Sequence, residues 1–593
     1  MPEPCQTGLA GMSSASGASV SSTRTKMLAA RTDRSRSWGE ALDPGHGTVV
    51  ASGRVMTRHS SEVQASSLGR EAGMGASESF TPERSTVRAV QEFDVVVVGG
   101  GGSGLAAAIE AASLGRSVCL IEKAERLGGT TGRSVGSIAA SNTPHQRSKG
   151  IKDSPEDHFD DFRQFNATLN LPQNETLARM LVENVPETMR WLMSMGIEFY
   201  GPMNELPHRK PRMHNVLPDS RAYIFHLERA ARRLGVTVMT AAPARELVQT
   251  GGRVTGVVVD ARDGAVELRA RGAVVLACGD YSASKELRAR HISKAIASVP
   301  PVNPHNTGDG HAMVRALGGR IINGHLHLAG IRFQAPPPKL IGKIPPYPIV
   351  TRFMRWALDN LPGAILRPFV ISFLTTILVP SPKLFKNGAI LINKQGERFT
   401  NELSDPVEDM ARQPDQLAYI VLDGKLVEKF TGWPYYVSTA PGVAYASIND
   451  YRRTRKDIFR EAATLPELAA KLGVPAAALE AAVAEHNAKL ARPREAEDER
   501  KPLDRGPYVA LGPVRYWVNF TDGGIAVDDR LRVLGEGDVP LEGLYAAGLT
   551  GMGGVLLEGH GHHLGWAFTS GRIAGRHAAY EVVSADLPEA AQY

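Results

Sequence analysis

The sequence predicts an α/β protein, and three observations predict it. Residues 95–98 are four consecutive valines, the pattern of a parallel strand buried on both faces. Gly99, Gly101 and Gly104 follow directly as G-x-G-x-x-G and open an alanine-rich, helix-favouring stretch over residues 105–114. A second apolar run, residues 118–121, ends on Glu122, about 20 residues beyond the glycines.

Strand, glycine turn and helix in that order make a cradle for a dinucleotide. The first glycine lets the chain turn sharply, the second lets backbone approach a pyrophosphate, and the third lets the helix press on the strand. The helix start presents free N–H groups and a positive dipole end to phosphate. Glu122 at the strand tip can accept hydrogen bonds from both ribose hydroxyls and would repel the extra phosphate of NADP. The alternative is a glycine turn without a ligand, and the acid at the required distance argues against it.

The 593 residues suffice for two or more domains, and 42% apolar with 22% charged residues is a globular composition. The net charge of +6 resides partly in the first 90 residues. No basic stripe interleaved with aromatics follows, so the folded part carries no nucleic-acid signature. Cys5, Cys119 and Cys278, without C-x-x-C spacing, argue against a disulfide framework or a zinc site and fit a reducing, cytoplasmic compartment.

Residues 1–90 are rich in Ser, Arg, Gly, Ala and Thr, lack apolar periodicity, and are expected to be disordered. They contain no apolar core of secretory type. They read either as a transit peptide or as an over-extended gene start, with Met56 or Met74 as the true beginning.

Residues 91–324 are expected to form the first segment of the nucleotide-binding domain. Gly128, Gly129, Thr130, Thr131, Gly136 and Ser137 lie in a loop of small and hydroxylated residues that can run along a flat cofactor; the alternative is a flexible surface loop. Helices are expected over 154–198 and 221–234. A meander of short strands follows over 236–269, with a buried strand at 273–277. His325 and His327 read as a polar face, because no third ligand stands at a sensible spacing, and no metal is expected.

Residues 325–450 are expected to be a separate inserted unit. Within it, 335–386 opens on three prolines and carries seven basic residues, and its apolar run at 369–379 is too short to cross a bilayer as a helix. It reads either as a membrane-touching segment or greasy substrate mouth, or as a buried helix. A hairpin is expected over 388–402 and helix over 456–490, inside a helical segment at 451–504. Residues 505–585 hold a strand and glycine turn at 543–548, then a tract rich in glycine and histidine leading into a final helix, with 586–593 as a tail.

The opening stretch, Gly128, Gly129 and Thr130, residues 306–310, residues 397–402 (Glu-Arg-Phe-Thr-Asn-Glu) and residues 544–548 occur in one order. Together they resemble the flavoprotein superfamily of fumarate reductase, the succinate dehydrogenase flavoprotein and 3-ketosteroid Δ1-dehydrogenase, across roughly residues 93–579. The resemblance implies a Rossmann-type FAD-binding domain made of two chain segments, with an inserted α+β domain capping the substrate. It implies that Glu122 holds the adenosine ribose, that Gly129, Thr130, Thr131, Gly136 and Ser137 line pyrophosphate and isoalloxazine, and that Gly548, Leu564, Gly565 and Ala567 close over the ring. Gly102, Ser103, Lys123, Ala244, Gly279 and Asp309 complete the expected FAD contacts.

Departures from the superfamily pattern narrow the expectation. Respiratory members attach FAD to a histidine whose place falls on Thr130, so non-covalent FAD is expected. The two histidines and two arginines of the dicarboxylate clamp fall on Gly330, Pro406, Phe520 and His563, a set that cannot grip two carboxylates. The tyrosines of the ketosteroid enzymes fall near Pro406 and Leu557, and the acid after the Tyr-Ala-Ala-Gly turn is replaced by Leu549. What remains is His560, His562 and His563, expected to move protons near pH 7, with Asp405 and Tyr516 as further candidates. The alternative is that these histidines only hold flavin or backbone.

The sequence therefore leads to an FAD-dependent oxidoreductase acting on a carbon–carbon bond beside a carbonyl. Its substrate is expected to be hydrophobic and uncharged, steroid- or terpenoid-like, its electron acceptor is unknown, and 335–386 is where it would touch a membrane. The alternative is a flavin-holding electron-transfer or accessory protein without a substrate of its own.

Overall fold

The computed structural model describes residues 87–167, 169–335, 344–362, 365–366, 371, 379–440, 444–492 and 498–586. The tract before residue 87 lies outside the described residues, as does the apolar run expected at 369–379, apart from Ile371 and Val379.

β1 (Ala89–Val98), α1 (Gly102–Ser113) and β2 (Val118–Ile121) form the expected strand–turn–helix–strand unit. β1 starts at Ala89, inside the stretch expected to be disordered, because residues 89–93 pair with a later strand. Next come α2 (Pro155–Ala167), α3 (Glu175–Ser194), β3 (Glu198–Met203), β4 (Met213–Leu217), α4 (Arg221–Arg233) and β5 (Thr237–Met239). The meander is β6 (Ala244–Thr250), β7 (Arg253–Ala261) and β8 (Gly264–Leu276), whose last part is the buried strand expected at 273–277.

Then follow β9 (His327–Phe333), α5 (Pro348–Asn360), β10 (Ile390–Ile392), β11 (Ala418–Leu422), β12 (Phe459–Ala462), α6 (Leu465–Leu472) and α7 (Ala476–Leu490). The chain closes with β13 (Tyr508–Thr521), β14 (Arg532–Leu534), β15 (Pro540–Ala546) and α8 (His562–Asp586).

The first sheet runs β14–β15–β8–β1–β2–β5, with the meander attached through β8. From β15 to β5 neighbouring strands are parallel, with Val97 beside Leu120 on one side and Val275 on the other, and Val275 beside Tyr545. Valine and leucine are buried on both faces here, because helices cover both sides. Two distant stretches of chain thus share one sheet. α8 lies so close on α1 that a Cβ at Gly571 would stand 2.3 Å from Ser103 O, and one at Gly575 would stand 2.2 Å from Ala107 O.

The second sheet runs β9–β13–β11–β10, antiparallel throughout, with β12 also on β13. β13 lies beyond residue 505, where the nucleotide-binding segment is expected to resume. It joins the second sheet instead, since its alternating Val514, Tyr516 and Val518 complete that sheet's core. The helical stretch expected over 456–490 contains β12 before its two helices. The hairpin expected over 388–402 shrinks to β10 and a single bridge, Ile392 to Arg398. There the Glu402 carboxylate, paired with Arg398 at 2.6 Å, takes the Leu391 N–H at 3.0 Å in place of a strand. Among the described residues no helix is long and apolar enough to cross a membrane.

Candidate active site

The three motif glycines have three different surroundings. A Cβ at Gly99 would meet Ala277 O at 2.3 Å, and one at Gly104 would meet Gly99 O at 1.8 Å. At Gly101, which caps α1, a Cβ meets nothing within 4 Å. The first and third positions are closed by packing and the second is open, as a helix N-terminus facing a pyrophosphate requires. Gly129, in the left-handed region at φ +50°, brings the expected loop against this opening, its Cβ position 3.5 Å from Gly101 Cα. The residues present therefore fit FAD.

Glu122 accepts N–H groups from Gly100 and Ala124, each at 2.8 Å, one on each carboxylate oxygen. Ala242 N–H bonds Glu122 O at 3.0 Å, which sets the start of β6, and so Ala244, near the same strand tip. Lys123 reaches Asp309 at 2.7 Å and also bonds Thr307. Gly102 N–H bonds Thr131 Oγ1 at 3.1 Å. Ser137 donates to Asn215 at 2.5 Å, and Tyr223 donates to Gly136 O at 2.8 Å.

Thr130 Oγ1 accepts amide hydrogens from Asn303 at 2.9 Å and Asn306 at 3.0 Å, and Asn306 also donates to buried Asp280 at 2.8 Å. Burial pushes the Asp280 pKa up against its hydrogen bonds. Asp280 and Asn303 were missed by sequence reasoning, although a Gly-Asp pair directly after a buried strand was a usable signal.

The second segment closes the site. Thr550 donates to Gly279 O at 2.8 Å. Gly548, at φ +62°, packs where a Cβ would stand 2.6 Å from Ser103 Oγ, and its carbonyl takes the Trp566 indole N–H at 3.1 Å. Leu564, Gly565 and Ala567 lie in the first turns of α8.

The three histidines before and within that first turn do not form one cluster. His563 Nε2 lies 3.0 Å from Asp522, and its ring rests on Phe520 at 4.5 Å between centroids. His560 pairs through Nδ1 with Glu205 in the β3–β4 loop, whose carboxylate also takes the His560 backbone N–H at 3.1 Å. Burial opposes charge on His560, but the Glu205 hydrogen bond and charge, with help from Glu558, outweigh it and hold the pKa above the ordinary histidine value. His562, expected among the proton-handling groups, turns inward and is fully buried against Phe162 and Phe165. Burial brings it down to about 4, against its bond to Glu558 O, so it is neutral at pH 7.

His562 instead completes a buried trio with His158 and His208, whose ligand-type atoms all lie within 4.8 Å of one another. The hydrogen bonds set the tautomers. Arg212 donates to His208 Nδ1 at 3.0 Å, so His208 carries its proton on Nε2. His562 donates from Nδ1 to Glu558 O, which leaves its Nε2 to accept from His158 Nε2 at 3.3 Å. A cation bound by Nε2 of all three rings would need the opposite tautomer at His208, beside the permanent charge of Arg212. Arg212 itself is held by Asp153 at 2.8 Å and by Asp161, all three side chains fully buried. His325 and His327 do not share a strand face, since β9 begins at His327.

Asp405 takes a hydrogen bond from Tyr516. Tyr516 is buried in the second core, and burial, then the Asp405 charge, pushes its pKa far above the ordinary phenol value. It faces away from Phe520 and His563, which removes it from the candidate catalytic groups on this face. Leu328, Gly330, Trp517 and Phe520 share the face that meets His563, because β9 and β13 pair Leu328 with Phe520 and Gly330 with Trp517.

Residues 94–338 and 360–557 match the FAD binding domain family. The chain is 27% identical over 474 residues to the NADH:fumarate oxidoreductase of Klebsiella pneumoniae (strain 342), covering 78% of this chain and 44% of that protein. It thus spans less than half the length of that relative. It is 27% identical over 572 residues to the urocanate reductase of Eggerthella lenta, covering 91% and 82%. A solved open conformation of a flavocytochrome c3 fumarate reductase shares the fold, with a TM-score of 0.64 at 23% identity, covering 83% of this chain and 79% of that one.

Proposed function

The chain belongs to the family of FAD binding domains, and on that premise we propose that it is an FAD-dependent oxidoreductase adding or removing hydrogen across a carbon–carbon bond beside a carbonyl. Bound FAD supplies the hydride exchange. The chain's own residues hold the reacting bond, keep water out and exchange the proton on the neighbouring carbon. The Glu205–His560 pair is the observation that carries this reading. With Nδ1 committed to Glu205, His560 has Nε2 left to give or take a proton, and its side chain keeps 34% exposure. His563, held by Asp522, orients the substrate against Phe520.

The test is the pH profile. The carboxylate favours the protonated imidazole, so a proton-donating step weakens as pH rises through the elevated His560 pKa. Glu205→Gln removes that support, so the decline is expected to begin at lower pH, with turnover at pH 7 falling by about 10²-fold. An unchanged profile would remove His560 from the mechanism. The Thr130 hydroxyl supports non-covalent FAD: acid precipitation is expected to leave all flavin in the supernatant.

The relatives' names record fumarate and urocanate as substrates, and Leu328, Trp517 and Phe520 support a substrate with a hydrophobic body for this chain. Flavin that is bleached only by a protein donor, and by no small enone, would instead favour the accessory-protein alternative.

α5 supports peripheral membrane contact. It turns Ile349, Phe353 and Trp356 outward at 79%, 64% and 53% exposure, on one face by helical spacing, with Phe353 stacked on Trp356. Residues 335–386 carry seven Lys and Arg against the one acid, Asp359. Such a face suits an anionic lipid surface. The chain is expected to sediment with phosphatidylglycerol vesicles and much less with phosphatidylcholine ones, and Phe353→Ser with Trp356→Ser is expected to release it.

A further inference from the structure

We infer that Asn166 and Gln173, at the two ends of the connection between α2 and α3, are positioning residues that hold His560 in place through the backbone of residues 556–558. This rests on the reading of His560 as the proton-handling group.

Residues 555–558 are buried, from 0% exposed at Leu557 to 4% at Glu558, yet they belong to no strand or helix. A buried backbone needs partners for its N–H and C=O groups. Here amide side chains supply them. The Leu556 N–H donates to Gln173 Oε1 at 2.9 Å, the Leu556 carbonyl takes a hydrogen from Asn166 Nδ2 at 3.0 Å, and the Glu558 N–H donates to Asn166 Oδ1 at 3.1 Å. In an extended chain these three groups lie along one edge, so the two side chains stand where a neighbouring strand would. Asn166 is itself 4% exposed, and its amide offers a donor and an acceptor from one planar group. Asn174 adds a bond further back, from Nδ2 to Gly553 O at 2.8 Å, while its side-chain oxygen caps α3.

The hold passes directly to His560. The carbonyl of Glu558, the residue that Asn166 grips, takes the His562 Nδ1 hydrogen, and the Glu558 charge helps to keep the His560 imidazole protonated. Gly559, at φ +88°, leaves no slack between the two: a Cβ there would stand 2.7 Å from the ring of Phe165, the neighbour of Asn166 on α2. On the far side Gly561, at φ +93°, is pressed so close that a Cβ would stand 2.4 Å from Ala139 N. His560 therefore meets Glu205 at a place set from both sides. The same connection carries Leu169 and Leu171, which pack with Leu326 and Leu556. Leu326 O takes the Asp522 N–H at 2.9 Å, and Asp522 holds His563, so the connection borders both histidines of the reacting face.

The test is a titration of the His560 ring by nuclear magnetic resonance in histidine-labelled holoprotein, its signal being the one missing from His560→Gln. Asn166→Leu nearly keeps the volume and removes both bonds. It is expected to lower the proton affinity of His560 by about threefold, with one FAD still bound per chain. Anaerobic reoxidation of the dithionite-reduced flavin by saturating cyclohex-2-enone is expected to slow by about tenfold, with the half-saturating concentration within about twofold of the wild type. Gln173→Leu removes one bond at a half-buried residue and is expected to act in the same direction to a smaller extent; it decides the matter if Asn166→Leu does not fold. Asn174→Ala loses the helix cap and the Gly553 bond, and is expected to melt earlier than the wild type while its His560 titrates as in the wild type. A His560 proton affinity unchanged in the two Leu variants, or lowered as much in Asn174→Ala, overturns the inference. The two readings fail separately. A His560 that shifts as expected, in a holoprotein whose reduced flavin the enone does not reoxidise, keeps the hold and loses the proposed reaction. A holoprotein that reduces the enone while His560 stays unshifted loses the hold alone.

Discussion

Gly104→Ala is expected to cost the protein its FAD and a large part of its stability. The added methyl would stand 1.8 Å from the Gly99 carbonyl oxygen, which belongs to the turn itself and cannot swing away as a side chain could. Either α1 lifts from β1 or the turn opens, and both destroy the geometry around Gly101. Forcing a side chain into such packing belongs with the most damaging single changes, about 4 kcal/mol or more. Thermal melting and the flavin absorption of the purified variant measure the two losses together. A variant that melts like the wild type and stays yellow would show that the helix is not pressed on the strand.

Arg212→Ala is expected to be almost as damaging for a different reason. It takes from Asp153 and Asp161 the cation buried between them, leaving Asp161 to half-exposed Arg209 and Asp153 to Lys210 at 3.8 Å, and breaking a buried pair in this way costs about 3–5 kcal/mol. It also frees His208 Nδ1 and loosens the β3–β4 loop that carries Glu205, so slower turnover should accompany the loss of stability. Chemical denaturation followed by tryptophan fluorescence gives the first effect. Arg212→Met should recover little, because the charge, not the volume, is what the two aspartates lack.

The parts of this architecture that were legible in the sequence are local. β1, the glycine turn, α1 and β2 are contiguous, and each glycine's task follows from its place in the motif. The joining of β15 to β8 was legible only through resemblance, since no local pattern links residues 544–546 to 274–276. β13 was not read as a strand at all, and alternation alone would not have said which sheet it joins. The histidine cluster misled for a geometric reason: positions 560, 562 and 563 enter a helix start, where neighbouring side chains point in different directions. Their partners Glu205 and His208, His158, and Asp522 come from three other stretches. Glu205 sits in a loop without a motif.

The most direct measurement is an FAD titration of the wild type beside Gly101→Ala. A Cβ at Gly101 touches nothing in the protein and the backbone there is extended, with φ −79°. The substitution should therefore spare the fold and intrude only where the pyrophosphate lies. The wild type is expected to take one FAD per chain, and Gly101→Ala to keep its melting temperature within a few degrees while binding FAD at least about tenfold more weakly. A wild type that stays colourless after incubation with FAD, or a Gly101→Ala protein that binds FAD equally well, would contradict the account.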